Sequence, residues 1–158
     1  MNIITQNDIN YQHDMVEQIR KFPTEYNHEK LWYDMRRSGK TTAILKCADE
    51  LARANSDNNN GTMMVWVIFH RNQMNIFELL SNHYGDNGYA DNLHFAVEDK
   101  ELMMTHPRPN DCVYIDEFTQ FDQEDLEYIL DYYRQNSICY LLVASNNEMN
   151  SDLTTEHQ

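Results

Sequence analysis

Arg36-Arg37-Ser38-Gly39-Lys40-Thr41-Thr42 is the stretch on which the reading of this chain turns. Glycine, lysine and a hydroxyl residue, just ahead of a helix-period segment, have the make-up of a phosphate-binding loop. The glycine lets the backbone come close to a polyphosphate, and the lysine supplies a point charge for the β- and γ-phosphates. Thr41 offers a hydroxyl to Mg²⁺, while the first amides of the helix point at the anion. Ser38, Gly39, Lys40, Thr41 and Thr42 are therefore candidate nucleotide-binding residues, with Thr41 also a candidate metal ligand. The full pattern G-x-x-x-x-G-K-[ST] would put a glycine at position 34, where this chain has Asp34. A second element is needed to support the reading.

Cys112-Val113-Tyr114-Ile115-Asp116-Glu117 supplies it. This is a short apolar, β-prone run that ends in two carboxylates. A strand delivering an acid at its tip is how phosphate-loop enzymes set an aspartate beside Mg²⁺, which makes Asp116 the second candidate metal ligand. The adjacent Glu117 is suited to orient or deprotonate an attacking water and is a candidate catalytic base.

Composition bounds the rest. At 158 residues the chain has the size of one domain with a sizeable core. No apolar run approaches a membrane span and the first residues lack signal-peptide character, so a cytoplasmic setting without membrane association is expected. Cys47, Cys112 and Cys139 show no metal-ligand spacing and read as buried reduced thiols, and the seven histidines suggest no zinc site. The net charge of −14 is uneven: residues 1–81 carry 9 basic and 10 acidic side chains, residues 82–158 carry 3 and 16. A chain without a basic patch is a poor solitary DNA binder. DNA contact is expected only indirectly or through an assembly, with protein partners or further copies of the chain supplying it.

Periodicity places these motifs in an alternating pattern. Met15, Ile19 and Phe22 predict a helix that Pro23 stops, and Leu31 to Met35 a strand leading into the loop. Thr41 to Ala54 has a helical apolar stripe, Met63 to Phe69 reads as a buried strand, and Met74, Phe77 and Leu80 mark the next helix. Tyr84 to Asn92 is loop and Leu93 to Val97 a short strand. Pro107 and Pro109 precede the strand ending in Asp116, Asp122 to Gln135 is a helix, and Ile138 to Val143 is the last strand. The acids Glu124, Asp125 and Glu127 read as a solvated helix face, and His70 as a satisfied structural histidine. The alternation predicts an α/β fold with a mainly parallel sheet flanked by helices and ligands at the carboxyl ends of the strands. Arg36 to Thr41, Asp116-Glu117 and Ser145-Asn146 would meet there.

With these elements placed, the sequence resembles the ATPase domain of the large terminase subunit, the DNA-packaging motor of tailed bacteriophages, over nearly its whole length. Tyr11-Gln12-His13-Asp14-Met15 resembles the family's upstream glutamine motif. Arg36 to Thr42 resembles its variant phosphate loop (Walker A), which often lacks the first glycine and carries an arginine. Val113-Tyr114-Ile115-Asp116-Glu117-Phe118 is similar to its Walker B segment, and the strand before Ser145-Asn146 matches the position of its coupling motif. The resemblance implies a single RecA-like (additional-strand, ASCE-type) P-loop NTPase domain that binds and hydrolyses ATP with Mg²⁺ in viral genome packaging. It implies that Gln12 reads the adenine edge, that Arg36 or Arg37 stabilises transition-state charge, and that Asn146 senses the γ-phosphate, a helix cap or turn being the plainer role for Asn146.

The implied organisation is one domain over 1–158: an adenine-side helix in 1–30, a core in 31–147 and a polar tail in 148–158. The chain departs from the family in having Ala144-Ser145-Asn146-Asn147 where a threonine-rich segment is usual, and in lacking a nuclease domain. Those departures and the acidic second half keep two other readings open. One is a nucleotide-binding pseudo-ATPase that acts as a regulatory interaction module; the other is a helicase-like fragment.

Overall fold

The computed structural model describes residues 14–22, 28–33, 39–56, 63–82 and 89–145. In chain order the elements are helix α1 (14–20), strand β1 (His28–Tyr33), helix α2 (Lys40–Ala54), strand β2 (Val65–Phe69) and helix α3 (Met74–Asn82). Strand β3 (Leu93–Val97), helix α4 (Lys100–Thr105), strand β4 (Cys112–Asp116), helix α5 (Gln123–Gln135) and strand β5 (Cys139–Ser145) follow. The fold is α/β, as the alternation predicts.

All five strands are parallel, in the order β1-β5-β4-β2-β3. Parallel strands require crossovers, and helices supply them here by covering both faces of the sheet. That is why β4 is buried at every position and β2 at all but one. The register sets Cys112 opposite Cys139 and Asp116 opposite Val143, so β4 and β5 end almost level. The last of the described strands, β5, is inserted between β1 and β4, the strand that ends in Asp116.

The sheet divides the apolar interior into two layers. On one face α1 (Met15, Ile19) and α2 (Ala43, Ile44, Cys47, Ala48) pack with Phe22 over Val65, Val67, Tyr114 and Leu141. On the other, α4 (Met103) and α5 (Leu126, Ile129, Leu130, Tyr133) pack over Ile68, Val113, Ile115 and Leu142. Alternation along β4 sends Tyr114 to one layer and its neighbours Val113 and Ile115 to the other. Among the described residues no helix is long and apolar enough to cross a membrane.

Several predicted elements shift. β1 begins at His28, three residues before the expected Leu31 and inside the segment assigned to the N-terminal helix region. Its polar start pairs with β5 from Tyr140 onward, and pairing rather than hydrophobicity makes it strand. Asp34 and Met35 lie outside the described residues. The strand expected from Met63 starts at Val65, and β4 stops at Asp116 because Glu117 turns the chain. The six-residue α4 was not anticipated: Asp99 caps it by accepting from Leu102 N at 3.0 Å, too short a helix to show a stripe. Cys47 and Cys112 are buried free thiols, but Cys139 is only half-buried. The acids Glu124, Asp125 and Glu127 are exposed, the first two in the first turn of α5, where they suit its dipole.

Candidate functional site

α2 starts without a side-chain cap. Gly39 occupies its N-cap position with φ 81°, ψ 18°, a left-handed conformation that a residue with a Cβ resists, and its first turn carries no acid. By contrast α4 and α5 are capped by Asp99 and Asp122, which accept from Leu102 N and Asp125 N. Among the described residues no side chain caps the leading amides of this four-turn helix, and uncapped amides at a helix start carry the partial positive charge that favours an anion.

Lys40 and Thr41, the first two residues of α2, meet the end of β4. Lys40 Nζ lies 2.8 Å from Asp116 Oδ1 and 3.6 Å from Glu117 Oε1. The Thr41 hydroxyl donates to Asp116 Oδ2 at 2.7 Å, across 75 positions of sequence. The Lys40 side chain is 6% exposed and that of Asp116 0%, so the pair sits in the interior rather than on a screened surface. Removing two charges from water costs several kcal/mol per ion, so such a pair is weak ground for a purely stabilising role.

Asp116 is held in one orientation. Its Oδ2 accepts from Thr41 and also from Gln73 Nε2 at 3.0 Å, whereas Oδ1 takes neither of these donors and is paired with the Lys40 ammonium. A carboxylate has about four lone-pair sites, so accepting capacity remains on the buried oxygen that faces Lys40. Glu117 follows in the left-handed region (φ 53°, ψ 47°), a conformation costly for a residue other than glycine. The turn swings its carboxylate, 17% exposed, toward Lys40 instead of continuing the strand.

Those donors fit Mg²⁺. The ion favours oxygen ligands and is held by one or two protein groups together with substrate phosphates, rather than by an all-protein cage. Thr41 and Asp116 are such a pair. Among the described residues no cluster of three or more His, Cys, Asp or Glu could hold a metal without a ligand's help.

Gln73 is the site residue that sequence reasoning missed. It lies in the short 3₁₀ turn Arg71–Gln73 after β2, a polar stretch that nothing marks as functional. Its side-chain oxygen accepts from His70 N at 3.0 Å while its amide nitrogen reaches Asp116, so both ends of the group are fixed. His70 is buried and satisfied, as expected. Its Nδ1 accepts from Asn72 N at 3.1 Å, and its Nε2 lies 3.0 Å from Glu98 Oε1. Beyond this turn a cleft of ≈ 360 Å³ opens between the end of β3 and α5, lined by His70, Arg71, Glu98, Lys100, Phe121 and Asp125 among others. It adjoins the Lys40–Asp116 cluster through His70 and Gln73 but does not contain it.

Of the predicted site residues, Gly39, Lys40, Thr41, Asp116 and Glu117 come together at the carboxyl edge of the sheet. Thr42 is exposed in the first turn of α2, one residue further along the same helix. Gln12, Arg36, Arg37, Ser38 and Asn146 lie outside the described residues, and Ser145 ends β5 beside Tyr33.

Several thiols and a histidine away from this edge have displaced equilibria. Burial pushes the Cys47 thiol up to about 11 and lowers His94 below its ordinary value. Cys112 and Cys139 lie opposite each other across the β4–β5 pair, and their interaction raises the Cys112 thiol and lowers that of Cys139. No protein-family model matches this chain, and no curated protein sequence matches it either.

Proposed function

We propose that this chain is a Mg²⁺-dependent ATP hydrolase built on a RecA-like P-loop domain. The observation that carries the proposal is the meeting of Lys40 and Thr41 with Asp116 and Glu117, within 2.7 to 3.6 Å, at the carboxyl edge of a parallel sheet. Strand order supports the additional-strand form of that fold, because β5 lies between the loop strand β1 and the acid-bearing β4.

In this reading the amides at the start of α2 and the Lys40 ammonium bind the β- and γ-phosphates, Lys40 exchanging Asp116 for phosphate oxygens. Thr41 and Asp116 would hold Mg²⁺, which would offset charge on the phosphates. Glu117, turned out of the strand, accepts a proton from the attacking water at its carboxylate. Arg36 or Arg37 offsets charge on the transferred group, and Gln12 supplies selectivity for adenine. The output proposed is work in a terminase-like packaging assembly, in which other subunits make most of the DNA contact.

The test is ATP turnover by the wild type, by Glu117→Gln and by Lys40→Ala. Glu117→Gln should lose at least about 10²-fold in kcat while still binding ATP, the usual scale for a general base. Lys40→Ala should lose binding as well. A wild type that hydrolyses nothing with Mg²⁺, DNA and partner proteins present refutes the enzyme reading. The acidic second half, 3 basic against 16 acidic residues, favours a second reading as a nucleotide-binding regulatory module. ATP binding without turnover, within a stable protein complex, would select it.

A further inference from the structure

We infer that Gln73 is a positioning residue for Asp116: it fixes the rotation of that carboxylate so that one oxygen is reserved for the metal-bearing side of the site. The inference rests on the nucleotide reading and adds to it a residue that lies outside both the loop and the acid-bearing strand.

The geometry is specific. Asp116 is fully buried, and its two oxygens have unlike surroundings. Oδ2 takes two donors, Thr41 Oγ1 at 2.7 Å and Gln73 Nε2 at 3.0 Å, while Oδ1 has neither and faces the Lys40 ammonium at 2.8 Å. Two donors on one oxygen lock rotation about the Cβ–Cγ bond, whereas one donor alone leaves the carboxylate free to roll. Thr41 supplies only one donor, and its oxygen is also the group proposed to hold Mg²⁺.

Gln73 has no such second duty. Its amide is anchored at the other end by the His70 backbone N–H at 3.0 Å, and its orientation follows, since only nitrogen can donate to the carboxylate and only oxygen can accept from the backbone. The turn itself is braced from outside the loop. His70 Nε2 and Arg71 Nε both reach Glu98 Oε1, at 3.0 and 2.9 Å, and Asn72 Nδ2 donates to Gln120 Oε1 at 3.1 Å. Asp116 is thus aligned from β2 and β3 as well as from α2. Removing partners that orient a metal-side ligand typically costs 10–100-fold in metal affinity.

The experiment measures ADP binding by calorimetry, in EDTA and at stepped MgCl₂, for the wild type, Gln73→Leu, Asp116→Asn and the double variant. Gln73→Leu should raise the Mg²⁺ concentration at half-effect by about tenfold or more. Its ADP affinity in EDTA should stay within about twofold of wild type, and the shift should vanish in the Asp116→Asn background. An unchanged Mg²⁺ midpoint overturns the inference. So does equal weakening with and without Mg²⁺, the mark of a turn that has merely loosened, or a shift that persists without the Asp116 carboxylate. Gln73→Asn keeps the amide but shortens its reach; it gives the same readout should the leucine variant fail to fold. A wild type that binds no ADP under any condition sinks the nucleotide reading itself, and is thereby distinguished from a failure confined to Gln73.

Discussion

Replacing Lys40 by methionine should destabilise the folded chain far more than loss of one surface charge would. At 2.8 Å and an effective dielectric near 20, the attraction between Lys40 and Asp116 is about 6 kcal/mol. Desolvation of both groups offsets much of that in the intact pair. It offsets none of the damage when one partner goes, because Asp116 stays fully buried with its charge. Breaking such a pair costs about 3–5 kcal/mol. The donors Thr41 and Gln73 remain on Oδ2 and put the expectation at the lower end, about 3 kcal/mol.

For a chain of this size that corresponds to a melting temperature lower by about 6–12 °C. With a urea m-value near 2 kcal/mol/M, the midpoint should fall by about 1.5 M. The assay is equilibrium urea unfolding followed by tryptophan fluorescence, on Lys40→Met, Asp116→Asn and the double variant. The double variant, with both charges gone, should recover at least about 1 kcal/mol relative to Lys40→Met. A Lys40→Met protein within 1 kcal/mol of wild type, or a double variant no better than the single, would refute the claim that a buried charge pair closes this site.

Three further outcomes follow from groups elsewhere. Among the described residues the buried Tyr114 hydroxyl has no hydrogen-bond partner, so Tyr114→Phe should stabilise the fold by about 1 kcal/mol or more in thermal melts, and a destabilised variant would contradict that. Burial lowers the folded pKa of His94, which stacks on Trp66 at 4.8 Å. The unfolded chain then binds the proton first, and stability present above about pH 6.5 is lost as pH falls through the folded value. His94→Gln should flatten the change in urea midpoint between pH 7.5 and 5.5, and an equal slope in both proteins rejects the assignment. Among the thiols, half-buried Cys139, which its neighbour Cys112 lowers below the ordinary thiol range, should react first with iodoacetamide, with a rate midpoint below that of a free thiol. Cys112→Ala should move that midpoint up toward the free-thiol value of about 8.5, as read by mass mapping of the alkylated residue.

Much of this architecture was legible in the sequence for a simple reason. β2, β4 and β5 are buried on both faces, so they appear as unbroken apolar runs. Gly39-Lys40-Thr41 and Asp116-Glu117 stand out because they match residue types at spacings that phosphate and metal binding would restrict, and the structure brings them together. What escaped detection depends on partners distant in sequence. His28, Glu29 and Lys30 are polar and become strand only through register with β5. α4 has too few turns for a period, although Asp99 as a cap and Pro107 just beyond its end were there to be read. Gln73 reaches Asp116 across 43 positions, and Cys112 meets Cys139 across a strand pair, so neither partnership has a local signature.

Glu117 carries a consequence of a different kind. Holding glutamate in the left-handed region costs roughly 1–2 kcal/mol, and glycine at that place would be nearly free of the penalty. A substitution that relieves the turn is therefore one codon position away from the residue to which the water chemistry is assigned. Laboratory selection for thermal survival alone should drift toward glycine at position 117, while selection for turnover should hold the acid. The two regimes would part company at this residue before they did so in either apolar layer, where packing serves both ends at once.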